Sequence, residues 1–270
     1  SSGLFVLPGL AFARAGPAVI LSYALAALII LPSVFSQSEL ATAMPRSGGS
    51  YFFIERSMGP LSGTLAGLAN WLSVALKAAF SLVGIGAFAS LIWPERTDPL
   101  TIKAVAVGAC VLFMVVNLVG ARHAGRLQVI MVAILLAVLG VFIAAGLPTV
   151  RHGHLGDFTR AGPLKIITTA GLVFVSFGGL TKVASVGGEV NRPARTLPAG
   201  IFAACIVVSL LYVAAVFVVV GVTPPADLAD PQTGRASLTP LSVAAEHTLL
   251  GKPGLIGLSL AAMLAFFTTA

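Results

Sequence analysis

Residues Leu172–Pro198 read LVFVSFGGLTKVASVGGEVNRPARTLP. The stretch starts as an apolar helix long enough to enter a membrane and then meets Phe177-Gly178-Gly179. Two adjacent glycines lack the side chains that hold a helix together, and each costs about 1 kcal/mol relative to alanine. Lys182 follows among apolar neighbours. In hydrocarbon, unwound backbone is tolerated only where it faces protein or a water-filled cavity. The stretch is therefore read as a discontinuous helix around a polar site.

The rest of the chain agrees with a membrane setting. Of 270 residues, 57% are apolar and 9% charged, and mean hydropathy is +1.02, whereas soluble domains carry about 25% charged residues. The long apolar runs leave nothing to build a charged surface, which excludes a soluble domain. A net charge of +7 would suggest nucleic acid in a soluble protein. Here, basic loops meeting anionic lipid headgroups account for it, and no nucleic-acid partner is expected. Cys110 and Cys205 lie inside apolar spans, where a small buried thiol is the ordinary role. The chain begins with Ser1, and Leu255–Ala270 stops inside an apolar run without a flanking charge. It is expected to be a fragment truncated at both ends.

Taken in order, residues 1–13 are apolar but too short to cross a bilayer, and are read as half a helix. Full spans are expected at Val19–Ala43, kinked by Pro32, and at Leu61–Trp93, Ile102–Val119, Leu127–Leu147, Leu164–Val186 and Ile201–Val222. A last, incomplete span begins near Gly254. The longest connecting segment is Thr223–Pro253. With alternating sides, Arg46, Arg56, Arg122, Arg126, Arg192 and Arg195 fall in compact loops on one side, and their density favours that side as cytoplasmic. Gly63 and Gly67 have the spacing that lets helices approach closely.

Catalytic chemistry finds no support. There is no GxSxG, HExxH or phosphate-loop pattern. Gly84-Ile85-Gly86 begins a dinucleotide-like pattern but lies inside an apolar span with no preceding strand. His152 and His154 offer too few ligands for a metal, and His123 between Arg122 and Arg126 suits a headgroup contact. No cofactor or metal is expected. Thr268 and Thr269 either help to coordinate an ion or bond their own backbone. Lys182 lies about one turn past the break, and a lysine inside a membrane is a functional candidate by default. It either exchanges a proton during transport, desolvation favouring its neutral form, or caps carbonyls freed by the break. Lys77, in mid-span with no break beside it, is read as structural.

Three segments carry a family resemblance. The opening SSGLFVLPG resembles the first helix of the amino acid, polyamine and organocation (APC) transporter superfamily, in which a small glycine-containing run interrupts the helix. Ser38–Gly59, SELATAMPRSGGSYFFIERSMG, looks like that superfamily's second helix and first cytoplasmic loop. Phe174–Pro198 looks like its sixth helix, ending in Glu189, Asn191, Pro193, Arg195 and Pro198. The three matches occur in the right order.

The resemblance implies an all-α membrane bundle of inverted repeats with broken first and sixth helices. Residues 1–270 would form one permease domain, from part of the first helix to part of the eighth. By similarity, amides around Ser1, Ser2 and Gly3 would receive a substrate carboxylate and carbonyls of Phe177, Gly178 and Gly179 its ammonium. Phe174 or Phe177 would close over it as an aromatic gate. The implied activity is secondary transport of amino acids across the cell membrane by alternating access, coupled to H+ or Na+ or run as exchange. A polyamine or organic-cation carrier is the alternative, and a channel a more remote one. The chain also departs from the pattern. Leu127–Leu147 lacks the lysine that some proton-coupled relatives carry in the fifth helix, Thr181 stands where many have an acid, and Gly188 leaves Glu189 without an acidic partner.

Overall fold

The computed structural model describes residues 2–44, 46, 48–92, 99–119, 121–156, 158, 161–180, 183, 190, 192–229 and 236–269. They form twelve α-helices: α1 Gly3–Ala15, α2 Val19–Ile29, α3 Leu31–Ala43, α4 Ser50–Met58, α5 Pro60–Ile92, α6 Pro99–Val119, α7 Ala121–Gly146, α8 Gly162–Phe174, α9 Pro193–Val222, α10 Pro225–Leu228, α11 Pro240–Glu246 and α12 Gly251–Phe267. Strand character among the described residues is confined to one bridge, Ala229 to Ala236. At 1.5 Å per residue, α1 is about 20 Å long, short of the roughly 30 Å hydrocarbon layer. α5 reaches about 50 Å and crosses only with tilt or with its ends outside. Gly16 takes φ +56°, a left-handed value open to glycine, and turns the chain into α2.

The expected kink at Pro32 falls where α2 gives way to α3 at Ile30. Proline there occupies the first turn of α3, where its missing N–H removes little. Bonds from Ile30 N to Ala26 O (3.1 Å) and from Val34 N to Ile30 O (3.0 Å) carry the helical hydrogen-bond pattern across the junction. The expected span Leu164–Val186 is cut at its middle. α8 stops at Phe174, a 3-10 turn covers Val175–Phe177, and Gly178-Gly179 lie in a turn.

Packing defines a core and two ends. α1, α2, α5, α7, α8, α9, α11 and α12 contribute to a shared interior in which Phe5, Tyr23, Phe142, Phe177 and Phe266 are fully buried. At one end, Arg151 N bonds Gly221 O at 2.9 Å and His154 Nδ1 lies 3.1 Å from the same oxygen, tying the 150–155 segment to the end of α9. At the other, Ala41 of α3, Phe53 of α4 and Leu197 of α9 form a separate small cluster. α5 and α6 turn large apolar side chains outward, among them Leu65, Trp71, Val107 and Met114, as helices facing lipid or further helices do.

Glycines set the close crossings. A Cβ on Gly63 would lie 2.8 Å from Glu55 Cα, and one on Gly67 2.9 Å from the Tyr51 ring, so the paired glycines seat α4 against α5. On that face Tyr51 donates to Glu55, and the hydrogen bond and then the charge of the carboxylate hold the phenol above its ordinary range. A Cβ on Gly84 would lie 2.5 Å from the Phe266 ring, which explains that glycine by packing of α12 on α5.

Two expectations need correction. Thr223–Pro253 is not merely a connecting loop: it contains α10 and α11, and Leu228, Leu241, Ala244 and Ala245 are buried. α11 packs on α1, where the Ser237 carbonyl occupies the space a side chain at Gly9 would need. Cys205 is buried as expected, but Cys110 is exposed because it sits on the outward face of α6.

Candidate functional site

The N-terminus of α1 meets the unwound end of α8. A Cβ on Gly3 would lie 2.7 Å from Ser176 Oγ and 3.4 Å from Ser176 Cα, so only glycine admits the break at this distance. Ser2 is 2% exposed, and α1 begins without a side-chain cap. Its first-turn amides thus present positive partial charge towards the break.

A cavity of about 440 Å³ opens at this junction. One wall is the α1 stripe Ser2, Gly3, Val6 and Leu7, and another is Leu172, Val175 and Ser176 at the end of α8. The third is Ser73, Leu76, Lys77 and Phe80 of α5, the spacing of one helical face. Lys77 lies near the centre of α5, some 25 Å along the axis from each end. The cavity therefore sits at mid-depth of the helix bundle, with a polar lining of hydroxyls, backbone and one ammonium inside an otherwise apolar wall.

Behind the break lies a second polar layer. Tyr23 of α2 interacts with the Ser176 side chain, yet neither hydroxyl completes a hydrogen bond of regular geometry. The Thr169 hydroxyl, two turns earlier on α8, is also buried without a partner. Ser22 Oγ donates to Ile166 O at 3.0 Å and pins α2 to α8. Unpaired buried hydroxyls are costly, and their grouping at an unwound backbone suits a place that receives polar guests. Similar hydroxyls occur elsewhere, at Ser242 and Ser259, so the grouping supports the site without defining it.

Of the expected site residues, Ser2 and Gly3 line the cavity. Gly178 and Gly179 stand in the turn just beyond it, Gly178 N bonding Val175 O at 3.2 Å. Phe177 is fully buried against Tyr212, ring centroids 5.2 Å apart, and Phe174 is half-buried. Neither phenylalanine is among the cavity's lining residues. Ser1, Thr181, Lys182, Gly188, Glu189 and Asn191 lie outside the described residues, as do the side chains of His123 and His152. Thr268 and Thr269 both bond Ala265 O, at 2.9 and 2.8 Å, the backbone alternative of the two expected.

Lys77, read as structural with no break beside it in sequence, lines the same cavity as Gly3 and Ser176, to which α5 brings it. Its signal was present in sequence. Ser73 and Lys77 are four apart inside an apolar span, and polar residues at that spacing mark a helix face turned towards protein or water.

A helix N-terminus and an unwound helix end thus meet at a mid-depth cavity inside an apolar helical bundle, an arrangement of discontinuous helices. The chain belongs to the amino acid permease family of the APC superfamily, whose pattern it matches over residues 1–257. It is 27% identical to a branched-chain amino acid permease of Lactococcus lactis subsp. cremoris, over 83% of this chain and 53% of that protein. It is 30% identical to a branched-chain amino acid permease of Bacillus subtilis, over 84% of this chain and 52% of the relative. With cationic amino acid transporter 1 of Arabidopsis thaliana it shares 29% identity, over 78% and 38% respectively. The chain thus spans about half the length or less of these curated relatives.

Proposed function

We propose that the protein is a secondary active transporter that carries amino acids across the cytoplasmic membrane by alternating access. The meeting of the α1 N-terminus with the break after α8 at one cavity carries this reading. Amides around Ser1, Ser2 and Gly3 would hold the α-carboxylate, as helix N-termini hold anions. Carbonyls of Phe177, Gly178 and Gly179, released from the helix, would hold the ammonium. The apolar wall of Val6, Leu7, Leu76, Phe80 and Leu172 would take an aliphatic side chain. Phe174 or Phe177 would act as the gate, which for Phe177 requires leaving its packing on Tyr212. The names of the relatives, branched-chain permeases and a cationic amino acid transporter, support an amino acid as the substrate.

The test is uptake by the complete protein in proteoliposomes, from a mixed labelled amino-acid pool under a proton gradient, a sodium gradient or neither. Uptake of amino acids is the expected outcome, and acid outside driving accumulation would indicate proton coupling. Lys182→Met should then abolish the pH dependence if Lys182 carries the proton. Uptake without either gradient, dependent on internal amino acid, would make the protein an exchanger. Polyamine movement in place of amino acids would replace this reading with an organic-cation carrier, and an ionic conductance with a channel.

A further inference from the structure

We propose that the pocket between Arg46 and Arg56 binds a phosphate group, that of an anionic phospholipid headgroup. The site lies apart from the transport cavity and does not depend on which solute is carried. Arg46 stands in the link from α3 to α4, and Arg56 stands one turn after Phe52 on the same face of α4. Both are exposed, and with Ala43, Met44 and Phe52 they border a pocket of about 320 Å³. No described lining residue is acidic. Glu55, the carboxylate on α4, is turned the other way: it packs over Gly63 of α5 and accepts a hydrogen bond from Tyr51. Among the described residues neither guanidinium is ion-paired.

The pocket has a fixed wall. Met44 and Phe52 pack against the cluster of Ala41, Phe53 and Leu197, drawn from α3, α4 and α9. A bond from Arg46 N to Met44 O at 2.8 Å holds the link close to the end of α3. α4 begins at Ser50 without a side-chain cap, so its first-turn amides add positive partial charge at the end that carries the arginines. Guanidinium forks match phosphate oxygens and can bond them in pairs. The source of the phosphate follows from the pocket's place and its wall. The apolar run through α1, α2 and α3 ends at Ala43, so the pocket falls where hydrocarbon gives way to headgroups. Arg192 and Arg195 are exposed at the same end. A lipid presents its phosphate on a glycerol and acyl stem that would lie along Met44 and Phe52, whereas a free phosphate would leave that wall uncovered.

The experiment is lipid binding by the complete protein, purified in detergent and stripped of lipid, with bound lipid counted by native mass spectrometry. The probes are short-chain phosphatidylglycerol and phosphatidylcholine, with inorganic phosphate as a competitor. Phosphatidylglycerol is expected to bind about ten-fold or more tightly than phosphatidylcholine, whose choline brings a cation to the arginines. Arg46→Gln combined with Arg56→Gln should remove that preference. Arg192→Gln combined with Arg195→Gln, the same loss of charge at the same end, should leave it within a few-fold of the wild type. If the first pair fails to fold, Arg56→Gln alone decides and should lose most of the preference. Equal binding of the two lipids by the wild type, or equal losses from the two arginine pairs, overturns the proposal and leaves only diffuse attraction between a basic end and anionic lipid. Inorganic phosphate displacing phosphatidylglycerol at equal concentration, with the same dependence on Arg46 and Arg56, would overturn the lipid as the source and assign the pocket to a soluble phosphate.

Discussion

The tightest constraint at the residue scale is the approach of Gly3 to Ser176. A methyl group on Gly3 would sit 2.7 Å from Ser176 Oγ, closer than side-chain carbons tolerate, with the Ser176 backbone directly behind at 3.4 Å. The serine is itself 3% exposed and has nowhere obvious to go. Gly3→Ala should therefore push α1 away from the break and spoil the geometry of both ligand-holding ends. A displacement costing about 1.4 kcal/mol in the transport barrier is a ten-fold loss of uptake. The companion change Ser176→Gly removes the clashing oxygen and should restore part of the loss in Gly3→Ala, though it adds flexibility of its own. Initial rates of labelled amino-acid uptake for the four proteins of this cycle provide the check. An unaffected Gly3→Ala would show that transport does not depend on the close approach.

At the scale of elements, α12 is held on α5 by a ring set into a notch. Phe266 is fully buried over Gly84 and is flanked by Phe88 at 5.6 Å and Phe80 at 6.3 Å, with Phe5 of α1 beyond Phe88 at 6.4 Å. Between membrane helices such shape matching replaces the hydrophobic effect as the source of cohesion. Gly84→Ala overfills the notch and should destabilise the bundle by about 1–3 kcal/mol, and Phe266→Leu in the same chain should recover much of that. Thermal melting in detergent would read both, and an unshifted Gly84→Ala would mean that α12 slides without cost. Helices of this kind were legible in sequence because each is a continuous apolar run, and the breaks at Pro32 and Gly178-Gly179 were legible because proline and paired glycine act through local backbone chemistry. What escaped depends on tertiary partners. α11 is short and stands in a stretch rich in proline and charge, and Leu241, Ala244 and Ala245 gain meaning only when α1 lies beneath them. Lys77 escaped because sequence measures distance along α5, whereas the cavity gathers Gly3 and Ser176 across it.

For the whole molecule, the two packed ends differ in the basic residues they expose, and that difference predicts an orientation. Arg46, Arg56, Arg192 and Arg195 are exposed around the end formed by α3, α4 and the start of α9, and Arg46 and Arg56 share a pocket of about 320 Å³ with Met44 and Phe52. The opposite end, where α9 finishes against the 150–155 segment, carries an Asp227–His247 pair at 3.4 Å and an exposed Glu246 beside the exposed Arg151 and Lys252. Lysine and arginine in short loops are retained on the cytoplasmic side, so the α3–α4 end should face the cytoplasm. Cysteine accessibility tests this in a background of Cys110→Ser and Cys205→Ala. Ser57→Cys on α4 should react with a membrane-impermeant maleimide only after the cells are opened, and Leu249→Cys, 73% exposed at the far end, should react in intact cells. The reverse labelling would invert the molecule. Under the expected orientation, the acidic cap of α10 and α11 lies over the outer end of α1, and the cavity at Gly3, Lys77 and Ser176 lies midway to the basic cytoplasmic end.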